Sequence, residues 1–287
     1  MLKKFKIYYR KIFKGEIFVI KAGGRVITDE KARKNLIANI DELVKDGIRV
    51  LLIYGGGEAI DKALEAEGIK PLKIDGRRIT SEQDIKIIKR VMAGDLSLLL
   101  SETVGHQKMS GYSLGNLPTR WAGLKRRPKK DGIPRYDGAP ETINAKLIRD
   151  VFQEIPFIYC PSLGQLSDGT TVNINADTLA VSLASGIKAA KLILLTDVDG
   201  VMIDGKLRSV IRRNEIEELI SSGIVTGGMQ VKLESCSDAL LAGVKRVHIL
   251  NGFSKDAVKN EIYTKQGTGT MIVRKAEKLK YEKEKIQ

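Results

Sequence analysis

The sequence is poor in cysteine and has no long apolar segment. Cys160 and Cys236 are its only cysteines among 287 residues, too few for a disulfide framework, and isolated cysteines are typical of a reducing compartment. No apolar run approaches the roughly 20 residues that a membrane-spanning helix needs. Arg10, Lys11 and Lys14 interrupt the apolar stretch that a secretion signal would require. We therefore expect a cytoplasmic protein that does not cross a membrane.

The sequence also lacks the motifs of nucleic-acid-binding proteins, although it is strongly basic. Its 49 Lys and Arg residues exceed its 35 Asp and Glu residues, so the formal net charge is +14. No zinc-finger spacing or RNP-like aromatic motif accompanies this charge, and only 5% of the residues are aromatic. We predict a lysine-rich surface that faces anionic metabolites, with no nucleic-acid partner.

The order of apolar patterns predicts an α/β fold. A buried strand over 17–20 precedes a helix that Asp29 caps and Gly47 closes, and a second strand over 50–53 leads through glycines into another helix. This alternation is typical of a parallel sheet covered by helices. Further helices are predicted over 81–100, 144–152, 175–186, 214–221 and 229–242, and strands over 157–160, 192–195, 247–250 and 270–273. The basic stretch 105–140 is irregular and predicts exposed hairpins or a lid.

Glycine-bearing and polar segments follow the predicted strands. They cover 21–24, 55–57, 173–177, 196–200 and 251–252, and 226–229 opens the helix that carries Lys232. Because the carboxyl ends of parallel strands meet at one edge, we expect these segments to line one crevice. Glycine lets backbone N–H groups approach phosphate oxygens. The chain has neither a Walker A motif nor the loops of protein kinases. A phosphate site in this chain would therefore be of the kind found in a different family.

Six short segments resemble, in order and spacing, the motifs of the amino-acid kinase family. They are Lys21-Ala22-Gly23-Gly24, Gly55-Gly56-Gly57, Gly76-Arg77-Arg78-Ile79-Thr80, Asn173-Ile174-Asn175-Ala176-Asp177, Thr196-Asp197-Val198-Asp199-Gly200-Val201 and Gly227-Gly228-Met229-Gln230-Val231-Lys232. The likeness covers about residues 16–273 and is greatest to the acetylglutamate kinase branch. Six ordered motifs are far more specific than any one of them.

The resemblance implies a three-layer α/β/α sandwich with a mainly parallel central sheet. Residues 16–172 would bind the acyl amino acid and form a dimer contact, and residues 173–273 would bind ATP, with a helix over 1–15 and a charged tail over 274–287. The implied reaction is phosphorylation of the γ-carboxylate of N-acetyl-L-glutamate by ATP with Mg²⁺, in arginine biosynthesis. Such a carboxylate is already ionised at neutral pH, so the enzyme needs positioning and charge neutralisation and no general base.

The resemblance also implies catalytic and nucleotide-binding residues. Lys21 and Lys232 would stabilise the transferring phosphoryl group and the leaving group, and Asp177 would hold both lysines in place. The phosphates of ATP would hold Mg²⁺, with no metal ligand from the protein. The residues assigned to ATP are Gly23, Gly24, Asp197, Val198, Asp199, Gly200, Val201, Met202, Ile224, Val225 and Thr226.

Four further residues would bind the acyl amino acid. Arg78 matches the arginine that grips the α-carboxylate, a contact that a lysine would not reproduce. Asn173 matches the residue that holds the acyl amino-acid backbone, and Gly56 and Gly57 match backbone donors near the γ-carboxylate. Arg77, beside Arg78, is interpreted as a surface charge.

Three positions depart from the family pattern. Tyr54 stands where His is common before the triple glycine, Glu58 where Pro or a small residue follows it, and Asn116 where Asp is usual. We expect these residues on the acyl-substrate side, where they would bear on substrate identity.

Two alternatives stay open. An aminoadipate-type kinase of lysine biosynthesis would act on a carrier-linked substrate, and the basic loop Lys125–Lys130 would attract an acidic carrier. The segments around Asn173 and Asp197 nevertheless resemble the acetylglutamate branch. The other alternative is a catalytically silent amino-acid-sensing relative, and the retention of Lys21, Asp177 and Lys232 argues against it.

An apolar stripe over 2–13 predicts an amphipathic helix. We expect the stripe to be exposed on a lone subunit and buried against a neighbouring copy. Its members are Leu2, Phe5, Tyr9, Ile12 and Phe13. Family members with such a helix form hexamers and are inhibited by arginine near it, and the segment 261–270 resembles the one they use. The resemblance therefore implies a homo-oligomer, a dimer or a hexamer, with arginine as feedback inhibitor.

Overall fold

A mainly parallel sheet with helices on both faces forms the centre of the molecule. The computed structural model describes residues 2–74, 77–128, 135–264 and 267–274. The helices are α1 (Leu2–Phe13), α2 (Gly24–Thr28), α3 (Glu30–Lys45), α4 (Gly57–Ala66), α5 (Glu82–Lys89), α6 (Leu96–His106), α7 (Ala145–Glu154), α8 (Ala176–Gly186), α9 (Ile216–Ser221), α10 (Gly227–Leu241) and α11 (Ala257–Tyr263). A π-helical segment, Arg90–Asp95, joins α5 to α6, and a 3₁₀ turn, Arg213–Glu215, precedes α9.

The strands fall mainly into two sheets. They are β1 (Ile17–Ala22), β2 (Arg49–Tyr54), β3 (Lys73–Ile74), β4 (Arg77–Arg78), β5 (Tyr112–Ser113), β6 (Ala122–Arg126), β7 (Asp137–Ile143), β8 (Phe157–Pro161), β9 (Leu163–Gln165), β10 (Thr171–Ile174), β11 (Lys191–Thr196), β12 (Met202–Ile203), β13 (Lys206–Leu207), β14 (Val210–Arg212), β15 (Val247–Asn251) and β16 (Thr270–Val273). The central sheet has the order β14-β16-β15-β11-β1-β2-β8-β5. Within the described ranges β15 and β16 form its antiparallel pair, and its other pairs are parallel.

Side chains alternate across this sheet and produce two apolar cores. Phe18 and Ile20 of β1 face the core that contains residues of α3, α5, α6 and α11. Ile17 and Val19 face the opposite core, which contains residues of α7, α8 and α10. Because both faces are covered, the central strands are apolar throughout. The expected three-layer α/β/α sandwich with a mainly parallel sheet is confirmed.

A smaller sheet of order β6-β7-β10-β9 lies beside the carboxyl edge of the central one. Strands β6 and β7 form an antiparallel hairpin, and β7 pairs in parallel with β10 through Asn173 and Asp137. The hairpin occupies much of the stretch predicted as exposed hairpins or a lid, and Lys129 and Lys130 of the basic loop lie outside the described residues. Strands β9 and β10 were not among the predicted strands.

The N-terminal helix packs on its own chain. Tyr9 and Phe13 are only 8% and 6% exposed, and they join the core beneath α3 and α11. The expectation that they would be exposed on a lone subunit is therefore wrong. The turn at Gly15, with φ of +80°, reverses the chain and folds α1 back onto the body. Ile7 and Ile12 remain exposed, and the side chains of Leu2 and Phe5 lie outside the described residues.

Ion pairs secure the docked helix at its outer edge. Lys6 Nζ lies 3.0 Å from Glu42 Oε2, and Arg10 Nε lies 3.6 Å from Asp46 Oδ1. Nearly all of the charged tail lies outside the described residues, which end at Arg274. In the described ranges, no helix combines the length and the apolar character needed to cross a bilayer.

Candidate active site

Two cavities open at the carboxyl edge of the central sheet and meet at Lys21. The first, which we call the basic cavity, has a volume of about 280 Å³, and its lining includes Lys21, Lys73, Arg77, Arg78, Arg127, Arg135, Asp137, Asn173, Asp177 and the glycines at 23–24 and 55–57. The second, the mixed-charge cavity, has a volume of about 230 Å³ and includes Lys21, Gly23, Gly24, Arg25, Glu58, Asp197 and Lys232. The single crevice predicted from the strand ends is thus a pair of adjoining cavities.

Lys21 and Asp177 form an ion pair where the two cavities join. Lys21 is near the end of β1, at the centre of the sheet, and its Nζ lies 3.0 Å from Oδ1 of Asp177 in the first turn of α8. Burial raises the pKa of Asp177, but the charges of Lys21 and Lys232 lower it more, so the net pKa lies below its ordinary value. The positive charges of Lys21 and Lys232 therefore favour the ionised form of Asp177, and its assignment as the group that holds both lysines in place stays a prediction.

Two glycine loops form the floor of the basic cavity. A Cβ on Gly24 would lie 3.0 Å from the Cα of Gly56, and a Cβ on Gly56 would lie 2.3 Å from Sδ of Met92. Only glycine permits this backbone contact. Gly57 begins α4, and the first N–H groups of a helix have no partner within the helix. Backbone donors therefore sit beside Lys21, where an anionic group could bind.

Arg78 extends into the basic cavity with part of its guanidinium unpaired. Nη2 donates to Asp61 Oδ1 at 2.5 Å and to the carbonyl oxygen of Gly57 at 3.3 Å. Nη1 is buried, and no group in the described ranges accepts from it. A buried guanidinium donor without an acceptor is costly, and a ligand carboxylate in the cavity would supply that acceptor.

The smaller sheet contributes a buried polar chain to the same cavity. Asn173 Nδ2 donates to Thr80 Oγ1 at 3.1 Å, and the Thr80 backbone N–H donates to Asp137 Oδ2 at 3.1 Å. Arg135 donates to the same oxygen through Nε at 2.8 Å, and its Nη2 also lies 2.8 Å away. The sequence did not indicate Arg127, Arg135 and Asp137 as residues of the site. The dense Lys and Arg between 125 and 135 were the available signal, but no periodicity showed that two of these arginines face inward.

The mixed-charge cavity has cations that already have anionic partners. Arg25 Nη1 lies 2.8 Å from Asp197 Oδ2 and Arg25 Nε lies 3.9 Å from Glu58 Oε2. Lys232, near the start of α10, also lines this cavity and is partly buried. Of the residues assigned to ATP, Gly23, Gly24 and Asp197 line this cavity.

The other residues assigned to ATP lie beyond both cavities. Asp199 accepts from Asn251 Nδ2 at 2.8 Å, and the side chains of Val201 and Val225 are buried in the core. Val198, Met202 and Ile224 are exposed apolar side chains. Gly200 has φ of +150° and leaves no room for a Cβ beside Thr270, and Thr226 precedes α10 as its N-cap residue. Their assignment to ATP stays a prediction.

One interpretation requires correction. Arg77 is exposed, as expected of a surface charge, yet it lines the basic cavity. Glu58 lines the mixed-charge cavity, beside Arg25, and its expected position on the acyl-substrate side stays a prediction. Tyr54 is buried behind the glycine loop, where its hydroxyl donates to the carbonyl oxygen of Met92 at 3.2 Å. Asn116 lines neither cavity.

Among the described residues, side chains suited to holding a metal ion are not clustered. In the part of the chain that the structure describes, no three His, Cys, Asp or Glu side chains come together as a metal ion would require.

Comparison with known protein sequences yields one family and a consistent set of relatives. The sequence model of the amino acid kinase family matches residues 16–251. The acetylglutamate kinase of Kosmotoga olearia is 36% identical over 274 residues, which cover 92% of this chain and 93% of that protein. The acetylglutamate kinase of Methanococcus maripaludis strain C5 is 36% identical over 278 residues, covering 91% of this chain and 93% of that protein.

Comparison with solved structures finds a larger relative. The N-acetylglutamate synthase of Neisseria gonorrhoeae, complexed with coenzyme A and N-acetylglutamate, superposes with a TM-score of 0.85 at 25% identity. The match covers 96% of this chain, which spans only 63% of the synthase chain. The same synthase complexed with coenzyme A and L-arginine gives a TM-score of 0.84, covering 95% of this chain and 65% of that one.

Proposed function

The chain belongs to the amino acid kinase family, and we propose that it transfers the γ-phosphoryl group of ATP to the side-chain carboxylate of N-acetyl-L-glutamate. The observation that carries this proposal is the Lys21–Asp177 pair between two cavities, with Lys232 beyond it. One cavity offers an unpaired guanidinium for a carboxylate, and the other offers a lysine and glycine N–H groups for phosphates. The similarity to the curated acetylglutamate kinases supports N-acetyl-L-glutamate as the substrate.

The reaction needs no proton transfer from the protein. An oxygen of the γ-carboxylate forms a bond to the γ-phosphorus while the bond from that phosphorus to the β–γ bridging oxygen breaks, and ADP leaves with the electron pair. Negative charge therefore shifts toward the leaving oxygen. Lys21 is positioned for the transferring group and Lys232 for the leaving group, while Asp177 holds both charges in place.

In this proposal the acyl amino acid occupies the basic cavity. Arg78 binds the α-carboxylate through its unpaired Nη1, and Asp61 fixes the guanidinium from the other side. Asn173 holds the acyl amide, and the N–H groups of Gly56 and Gly57 orient the γ-carboxylate toward Lys21. Each contact pairs a fixed donor with an anionic or carbonyl oxygen.

ATP occupies the mixed-charge cavity and brings Mg²⁺ on its phosphates. The glycines at 23–24 approach the phosphates. The adenine ring extends out of the cavity toward the exposed apolar side chains of Val198, Met202 and Ile224. Neither open alternative gains support from the comparisons. Each of the curated relatives described above is an acetylglutamate kinase and none is a carrier-linked or silent protein.

A coupled assay tests this proposal directly. The protein is incubated with MgATP and N-acetyl-L-glutamate, N-acetyl-L-aminoadipate or free glutamate, and the acyl phosphate is trapped as a hydroxamate. We expect the largest kcat/KM with N-acetylglutamate. A larger kcat/KM with N-acetyl-L-aminoadipate would show that the proposed substrate is wrong. The absence of hydroxamate with all three compounds would show that the proposed kinase activity is wrong.

We also propose a homo-oligomer with arginine feedback, in the cytoplasm. The exposed Ile7 and Ile12 leave part of α1 for a neighbouring copy, while its buried side places it against α11, next to the segment 267–270. Both cysteines are free and buried, which suits a reducing compartment. The structure of the related synthase complexed with L-arginine supports the proposal that arginine binds as an effector.

The exposed face of α1 allows this second proposal to be tested without disturbing the core. Light scattering would compare the native chain with Ile7→Asp/Ile12→Asp, and with Leu241→Asp as an exposed control on α10. We expect the α1 variant alone to have a smaller assembly and weaker inhibition by arginine. Equal assemblies and an activity indifferent to arginine would overturn the regulatory proposal and leave the kinase proposal standing.

A further inference from the structure

Three guanidinium groups besides that of Arg78 line the basic cavity. Arg77 belongs to β4, Arg127 follows β6, and Arg135 precedes β7. The hairpin brings the last two together, since the Arg127 N–H donates to the carbonyl oxygen of Asp137 at 2.9 Å. We refer to Arg77, Arg127 and Arg135 as the arginine cluster.

Among the described residues that line the basic cavity, Asp137 is the carboxylate paired with the arginine cluster, and its partner there is Arg135. Asp137 accepts from Arg135 at 2.8 Å and is buried. Burial lowers the pKa of Arg127, and the charges of Arg77 and Arg135 lower it further, while Asp137 acts in the opposite direction. Like charges this close to one another are unfavourable without an anion between them.

N-acetyl-L-glutamate does not provide that anion. Of the described residues that line the basic cavity, six are Lys or Arg and two are Asp. In the proposed function, the α-carboxylate is bound by Arg78 and the γ-carboxylate lies toward Lys21. The acetyl group is neutral, so it adds no negative charge beside Arg77 and Arg127, and Asp137 already pairs with Arg135.

We propose that the arginine cluster is a subsite for an anionic group on the acyl portion of the substrate, so that N-acylglutamates whose acyl chain ends in a carboxylate are favoured. This inference rests on the proposed function. Asn173, which is assigned to the acyl amide, pairs with Asp137 across β10 and β7, and its N–H donates to the carbonyl oxygen of Tyr136 at 2.8 Å. The acyl chain therefore extends from Asn173 toward Arg135 and Arg127.

The cavity has room for a longer acyl chain in this direction. Arg77 and Arg127 also line a neighbouring cavity of about 470 Å³ bounded by β7, α8 and α10. The buried hydroxyl of Ser185 lies in its lining and has no hydrogen-bond partner among the described residues. Two arginines of the cluster are therefore shared by two polar cavities, and the acyl chain can extend from one cavity toward the other.

A matched pair of substrates isolates the charge. N-succinyl-L-glutamate ends in a carboxylate, and N-succinamyl-L-glutamate has the same length and shape but ends in a neutral amide. The same group transfer occurs at the γ-carboxylate of both. We expect kcat/KM to be roughly tenfold or more higher for the succinyl compound, the size of one charge-assisted contact, and the ratio to fall as salt is raised.

A matched pair of arginine variants assigns the effect to the cluster. Arg126 adjoins Arg127 but faces away from the cavity, with its guanidinium 5.3 Å from the ring centroid of Tyr136 and 3.9 Å from Asp168. Arg127→Gln is expected to bring the succinyl-to-succinamyl ratio close to one, whereas Arg126→Gln keeps the native ratio. Titration calorimetry with N-succinyl-L-glutamine, which lacks the reacting carboxylate, should show the same loss of binding in Arg127→Gln only.

The outcomes separate this inference from the proposed function. If no N-acylglutamate is phosphorylated, the proposed function fails, and the calorimetry still tests the subsite. If N-acetylglutamate is phosphorylated but the native ratio is close to one, the inference alone is overturned. An equal loss of the ratio in both arginine variants would also overturn it, and the native ratio decides even where Arg127→Gln fails to fold.

Discussion

The two cavities that meet at Lys21 differ in whether their arginine side chains are exposed and fully paired. In the mixed-charge cavity, the Arg25–Asp197 pair is closed at 2.8 Å and both side chains are about half exposed, at 59% and 48%. In the basic cavity, Arg78 is only 7% exposed and has one nitrogen without an acceptor. A solvated pair gains little from a ligand, whereas a buried unpaired donor gains a great deal.

This difference indicates where substrate recognition is built into the protein. The basic cavity has fixed, partly desolvated cations and requires an anion that fits them. The mixed-charge cavity contributes Lys232 and glycine N–H groups. In the proposed complex, the metal ion that accompanies the polyphosphate neutralises the rest of its negative charge. We therefore expect substitutions in the basic cavity to change specificity and those in the mixed-charge cavity to be mild, except at the two lysines that act on the reacting group.

The largest effect is expected from the lysines where the cavities join. Lys21→Ala and Lys232→Ala should each lower kcat roughly 100-fold or more, with smaller changes in KM, because these charges act mainly on the transition state. Steady-state kinetics would measure this, with the exposed Lys34→Ala as a control outside both cavities. Native turnover in both variants would show that neither lysine stabilises the transition state and that the assigned mechanism is wrong.

An effect of comparable size, on stability and not on rate, is expected from the buried pair in the basic cavity. Asp137→Asn leaves Arg135 and its two neighbours without a carboxylate, so the free energy of unfolding should fall by about 3 kcal/mol. Urea unfolding would measure this change. The double variant Arg135→Met/Asp137→Asn should recover part of the loss, because the buried charge is also removed. Equal stability of the native protein and Asp137→Asn would mean that water screens the arginine cluster.

The fold could be predicted from sequence mainly where one element alone carries the signal. The buried runs of β1, β2, β8 and β11 stand out as apolar segments, and Asp29 caps α3 by accepting from the Ala32 N–H at 2.7 Å, as predicted. Strands β9 and β10 were missed because they are short and partly polar, and their pairing depends on the neighbouring β7. Helix α11 was missed because its seven residues are held by tertiary contacts, among them Tyr263 to Asp46 at 2.6 Å.

The same distinction applies to the candidate site. The sequence indicated Lys21, Asp177 and Arg78, which stand in ordered motifs at strand or helix ends, and the structure brings them to one cavity. It did not indicate Arg127 and Arg135. Their direction is set by the β6–β7 hairpin, whose register is a long-range property that no local pattern reveals.

A moderate effect on one substrate is expected from Arg78. Arg78→Lys should raise KM for N-acetylglutamate roughly tenfold, since a fork that contacts both Asp61 and the ligand becomes a point charge. KM for ATP should stay the same, because Arg78 lines only the basic cavity of the two. Kinetics with each substrate varied in turn would measure both values, and an unchanged KM for N-acetylglutamate would place the α-carboxylate elsewhere.

The smallest effect is expected from the exposed pair of the mixed-charge cavity. Arg25 lies 2.8 Å from Asp197 and 5.9 Å from the ring centroid of Phe253, but its side chain is 59% exposed. Because solvent screens such a pair, Arg25→Ala should change KM for ATP by less than about threefold and leave KM for N-acetylglutamate unaltered. Arg90→Ala, which removes a comparably exposed arginine paired to Glu67 outside both cavities, provides the control. A tenfold rise in KM for ATP in Arg25→Ala alone would show that Arg25 exchanges Asp197 for a phosphate when the nucleotide binds, and the two cavities would then recognise their ligands in the same way.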